Sequence, residues 1–224
     1  MRAVRYLPEG YREIFSVNLQ KDKKVALFIN ALALLIAVAF AVPMHFYIPI
    51  STLFDMKNGI MNYFLKFVCL FLSSIAYIFL HEFVHGIAMK CFGTKKIKYG
   101  FTGMYAFAGS SDYYNKKSYL VIAMAPIIVL GIILAIINIV VPYEWFWVIY
   151  LIQLSNISGA AGDLYVTVKF SKLPKDILIN DTGIGMNVYS KSCLSVRSIE
   201  ILSAPYAPLI FSITLFITLF SRTW

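Results

Sequence analysis

Histidine is scarce in this chain, and two of its three copies stand four residues apart in His81-Glu82-Phe83-Val84-His85. On a helix, positions four apart share a face, so both imidazoles reach one point in space. Neutral imidazole is a ligand for zinc, and a glutamate beside the first histidine stands where it can take a proton from a metal-bound water. A pair of buried structural histidines would have to tolerate that glutamate, unpaired, in apolar surroundings, which is expensive. A catalytic zinc site also wants a third protein ligand and an open position. The extension that supplies a third histidine in many soluble enzymes is absent, since Ala88 and Met89 follow where it would continue. The third ligand must come from a distant part of the chain.

The elements that hold this motif are read from composition. Of 224 residues, 60% are apolar and only 14% charged, against about 25% in soluble domains. So few charges cannot cover so large a core in water, and a disordered chain would not carry it at all. The net charge of +9 sits in blocks between long uncharged runs, a membrane pattern and not a nucleic-acid one. Cys69, Cys91 and Cys193 lack metal-type spacing, so neither a disulfide framework nor a cysteine zinc site is expected. Four stretches are long enough to cross roughly 30 Å of hydrocarbon: about Val25–Ile50, Tyr63–Met89, Ser118–Val141 and Trp145–Val168. A fifth run, Leu202–Phe220, begins with Pro205 and Pro208 and is open to a span, a re-entrant hairpin or a surface helix. Ala39-Phe40-Ala41 imitates a cleavage site, but apolar sequence continues to Ile50, so the first span is expected to be retained. The expectation is one all-α polytopic membrane domain over residues 1–224, with four to five transmembrane helices.

Lysine and arginine set its orientation. They crowd the segment before the first span, the loop Lys90–Lys117 and the region after Lys169, and they are sparse in the alternate loops. The N-terminus, the central loop and the polar loop Ser171–Ser195 are therefore expected in the cytoplasm. Depth then selects the third ligand. Asp163 lies six residues before Lys169, and His81 and His85 lie within about ten of Lys90, so all three share a depth on one side. His45 and Glu144 fall near the opposite face, roughly 20 Å away at 1.5 Å per residue, and Asp112 in the central loop is free to stay in water. Gln153, Asn156, Ala160, Asp163 and Thr167 form one polar stripe of the fourth span. Asn156 on that stripe can donate to a substrate carbonyl or simply bond a neighbouring helix. Alternation in Lys98-Tyr99-Gly100-Phe101 and Met104-Tyr105-Ala106-Phe107 suits a short β-hairpin, whose edge would pair with an extended substrate or whose aromatics would anchor at the interface.

The two metal-ligating segments, His81-Glu82-Phe83-Val84-His85 and a span containing Asp163, resemble the core of site-2 protease intramembrane metalloproteases over roughly Tyr63–Val168. The chain more closely resembles a family of bacterial membrane proteins described as putative zincin peptidases, a domain of unknown function. The pieces that carry this likeness are Leu7-Pro8-Glu9-Gly10-Tyr11, the motif through Gly86, Asn156–Asp163 and Asp181-Thr182-Gly183-Ile184-Gly185-Met186. The resemblance implies a three-helix core from the second to fourth spans. It also implies zinc on His81, His85 and Asp163, with Glu82 as base and proton shuttle. The chain departs from the site-2 pattern at Gly159, which replaces a proline, at Leu164, which replaces a glycine, and in the seven-residue step from Asn156 to Asp163.

The reading is a zinc metalloprotease of the prokaryotic cell membrane, cutting membrane-embedded or membrane-proximal peptides at a cytoplasm-facing site. The alternative is a non-catalytic zinc-containing binding or regulatory protein of the bilayer. A metal transporter is disfavoured because the polar residues cluster on one side and form no path across. Cysteines introduced singly into Lys90–Lys117 or Ser171–Ser195 should resist a membrane-impermeant maleimide on intact cells and react after lysis. Efficient labelling before lysis would invert the orientation.

Overall fold

A computed structural model describes residues 2–18, 22–103 and 105–192. Among the described residues, three helices are long and apolar enough to cross a membrane: α1 (Lys23–Tyr47), α2 (Ile60–Cys91) and α3 (Lys116–Val140). Local chemistry sets their ends. Asp22 caps α1 by accepting from the Val25 N–H at 3.1 Å, and Asn115 caps α3 by accepting from Ser118 at 3.0 Å. Pro49, just past the end of α1, closes off its continuation. Polarity is arranged inside out: Phe79 and Ile132 are 62% and 57% exposed, whereas His81, His85 and Asn156 are buried. Water would penalise that outer surface, and lipid does not.

The fourth apolar segment is not the single span expected for Trp145–Val168. It divides into α4 (Phe146–Gly159) and α5 (Ala161–Ser171), which meet at Ala160. The run Gly159-Ala160-Ala161-Gly162 contributes two glycines of poor helix propensity and no bulky side chain to bridge the turn. The Ala160 carbonyl then accepts from Leu164 at 3.0 Å and starts the new helix. The fifth apolar run, Leu202–Phe220, lies outside the described residues.

The expectation of an all-α chain with at most one short hairpin in the central loop is corrected: the described residues hold six short strands. The central hairpin is present as β2 (Lys98–Phe101) against β3 (Ala106–Gly109), in antiparallel register with Tyr99 opposite Ala108. A second sheet has the order β1-β6-β5-β4, built from β1 (Arg12–Val17), β4 (Tyr113–Asn115), β5 (Leu178–Asp181) and β6 (Met186–Ser190). The segment expected as a polar loop thus holds a hairpin, and the leader pairs with it, Val17 opposite Met186. Its strands are hidden by brevity: β5 and β6 run four and five residues, too short for alternation to stand out, although Ile179 and Val188 are fully buried. These residues join Tyr119, Ile122, Tyr165 and Phe170 in one core, so the sheet is packed onto the ends of α3 and α5.

The two sheets meet over the helix ends. The Ser110 N–H donates to the Asp181 carbonyl at 2.7 Å, and a Cβ at Gly109 would lie 2.2 Å from the Thr182 carbonyl carbon. Backbone cannot yield as a flexible side chain does, so Gly109→Ala should destabilise the protein by about 1–3 kcal/mol. Thermal unfolding in detergent should show a clearly lowered midpoint for Gly109→Ala. Gly159→Ala, whose added Cβ meets nothing within 4 Å, is the matched control and should not fall. Equal midpoints for the two variants would mean that the sheets are not locked together at Gly109.

Candidate metal centre

His81 and His85 lie one turn apart on α2, their ring centroids 4.9 Å from each other. The break at Ala160 brings Asp163 to them in the first turn of α5, where the unpaired N–H groups of a helix N-terminus favour a carboxylate. His81 Nε2 stands 3.3 Å from Asp163 Oδ2, and His85 Nε2 stands 3.5 Å from Oδ1. One donor atom from each residue falls within 4.8 Å of the others, and this is the group of metal-ligating side chains that converges among the described residues. Ligand atoms around a tetrahedral zinc with bonds of 2.0–2.1 Å stand about 3.3 Å apart. Two imidazole nitrogens and a carboxylate oxygen at these separations fit such an ion.

The rings are held from behind. His85 Nδ1 bonds the Ile122 carbonyl at 2.9 Å. That carbonyl lies four residues before Pro126, which has no N–H to give it, so the proline inside α3 leaves an acceptor for the histidine. His81 Nδ1 meets the Tyr77 hydroxyl at 3.0 Å. Asn156 is fully buried, its Nδ2 donating to the Ile127 carbonyl at 3.1 Å and its Oδ1 accepting from Tyr77 at 3.3 Å. Both ends of its amide are therefore engaged inside the protein.

A cavity of about 380 Å³ opens on the three side chains. Glu82 lines it beside the histidines, next to Ala108 of β3. Ala106 and Phe107 of the same strand form one wall, and Asp181 and Gly183 of the β5–β6 turn form another. Asp181 accepts from the Tyr119 hydroxyl at 2.8 Å and from the Gly183 N–H at 2.9 Å. Burial pushes the Asp181 carboxyl above its ordinary range despite those donors. The other sequence candidates sit elsewhere. His45 accepts from the Ile50 N–H beyond the end of α1, and Glu144 accepts from Asn58. Asp112 belongs to the turn between β3 and β4, where its N–H donates to Ser110 Oγ. Tyr77, Tyr119 and Asp181 were not legible as site residues. Tyr77 is one turn before His81 on the same helix face, a signal that was available; Asp181 reaches the cavity only through a sheet that the sequence concealed.

Comparison with known proteins bears on this centre directly. Residues 74–178 match a family model described as "Putative zincin peptidase". The matched segment contains His81, Glu82 and His85 as well as Asp163, and it ends before Asp181. Over 119 residues the chain is 33% identical to a Pyrococcus woesei protein described as "Uncharacterized 24.7 kDa protein in gap 5'region". The aligned region is 51% of each, so the chain spans about half the length of this curated relative. No solved structure matches.

Proposed function

We propose that this protein is a zinc-dependent peptidase acting on membrane-embedded or membrane-proximal peptides from the cytoplasmic side of the cell membrane. The observation that carries the reading is the convergence of His81, His85 and Asp163 on one point, with Glu82 on the wall of the same cavity. His81, His85 and Asp163 would hold the ion. Zinc, when bound, supplies a Lewis acid that polarises a peptide carbonyl and acidifies water. Glu82 then takes the proton of the attacking water and returns it to the departing amine. The cavity walls are largely apolar, including Ile78, Ile122 and Val166, which suits hydrophobic side chains flanking the cut. Among the described residues β3 is paired within its sheet with β2 alone, so its remaining edge beside the cavity supports pairing with an extended substrate. A substrate helix must unwind before it can be held that way. The basic segments of the leader, the central loop and the tail support the cytoplasmic orientation.

Glu82→Gln tests this. Glutamine keeps the shape but cannot take the proton, so the variant should retain zinc and its fold while cleavage falls by about 10²–10⁴-fold. Cleavage would be scored on a co-expressed library of tagged single-span proteins, with metal content measured on the same preparations. If Glu82→Gln keeps full biological function where His81→Ala does not, the metal matters and hydrolysis does not. The non-catalytic zinc-binding reading would then replace the peptidase.

A further inference from the structure

Each histidine of the trio carries a bond on the ring nitrogen that faces away from Asp163, and the two bonds are built differently. His85 Nδ1 meets a backbone carbonyl, which can only accept, so its proton sits on Nδ1 and Nε2 keeps its lone pair for a metal. His81 Nδ1 meets the Tyr77 hydroxyl, which can accept or donate. The direction of that bond is decided further away. Asn156 Nδ2 donates to the Ile127 carbonyl, so the amide oxygen is the end that faces Tyr77. Turning the amide over would set its oxygen against another carbonyl oxygen. Gly131 leaves room for the amide on α3, where a Cβ would already stand 3.3 Å from Nδ2. The Asn156 oxygen can only accept, and the one hydroxyl hydrogen of Tyr77 is committed to it. The Tyr77 oxygen is therefore the acceptor toward His81, and the His81 proton lies on Nδ1.

We propose that Tyr77 and Asn156 are positioning residues of the metal centre: with the Ile127 carbonyl they form a directional relay that fixes His81 as its Nδ1–H tautomer and turns the Nε2 lone pair to the ion. The Nε2 lone pair rests on the zinc reading above, because without an ion His81 Nε2 faces the Asp163 carboxylate, which only accepts; the direction of the relay at Nδ1 does not. It gives Asn156 work inside the bundle, acting through Tyr77 and His81, in place of contact with substrate. It also makes the two histidines equivalent, one fixed by the carbonyl that Pro126 leaves without a helical donor and the other by a relay crossing α4 and α3.

Tyr77→Phe keeps the ring and removes the hydroxyl. Asn156→Leu keeps the bulk, removes the acceptor and frees Tyr77 to donate to His81, which drives the ring toward its Nε2–H form. Each change should weaken zinc by about ten- to a hundredfold. The double variant should be no weaker than the worse single one, because one relay is cut at two points. Zinc affinity would be read on the full chain in detergent by competition with a chelating indicator. In parallel, nitrogen-15 NMR of imidazole-labelled, metal-free Asp163→Ala protein in alkaline buffer reads the tautomers with the competing carboxylate removed, which is tractable with only three histidines. The relay predicts Nδ1–H at His81 in that background and a shift toward Nε2–H when Asn156→Leu is added, with His85 unchanged. An Nε2–H His81 in the Asp163→Ala background, or additive losses in the double variant, would overturn it. Should the wild type take up no zinc, the metal reading fails on its own, and the tautomer comparison still decides the relay.

Discussion

A carboxylate placed inside an apolar helix bundle costs several kcal/mol unless a cation and good hydrogen bonds meet it. Asp163 is in that position, and what meets it is a pair of imidazoles. With Nδ1 of each ring engaged from behind, both Nε2 atoms and the carboxylate face a single point. A divalent ion there satisfies all three at once, and most of the local architecture reads as provision for it. The helix break at Ala160 sets the carboxylate on a helix N-terminus. Pro126 leaves a carbonyl to orient one ring, and Asn156 and Tyr77 orient the other.

The sheets answer a different need. A metal site at the end of a bundle needs a wall that shapes the cavity. Strand β3 supplies that wall: Ala106, Phe107 and Ala108 line the cavity beside Glu82. The leader and the tail are distant in sequence yet pair as β1 and β6, and they press the β5–β6 turn against the hairpin. Asp181 reaches the cavity by that route. The matched family segment contains the proposed ligands and the base but not this turn, so part of the cavity wall lies beyond it.

How much of this was readable in the sequence depended on period and length. Long apolar runs placed α1, α2 and α3 within a few residues, because runs of that length and apolarity are what a membrane span requires. Helical spacing put His81 and His85 together, and the distance to flanking lysines put Asp163 at their depth. Hydropathy does not register a break made of small residues, so α4 and α5 read as one span. Strands of three to six residues with one or two inward side chains carry too little periodicity to stand out from a polar loop, and so the β1-β6-β5-β4 sheet went unseen. The hairpin β2–β3 was legible because its aromatic alternation is stronger. Asn156 was flagged by its place on the polar stripe, but its partners Ile127 and Tyr77 lie on two other helices. Those contacts exist only after packing.

The measurement closest to the central claim is zinc-edge X-ray absorption on the purified wild-type chain. Two imidazoles and a carboxylate predict roughly one zinc per chain, with nitrogen and oxygen scatterers alone at about 2.0–2.1 Å and the outer-shell pattern of two histidine rings. A sulfur scatterer near 2.3 Å would place the metal on cysteine, and a chain that takes up no zinc would leave Asp163 without the ion this account requires. Either result would contradict a metal centre formed by His81, His85 and Asp163.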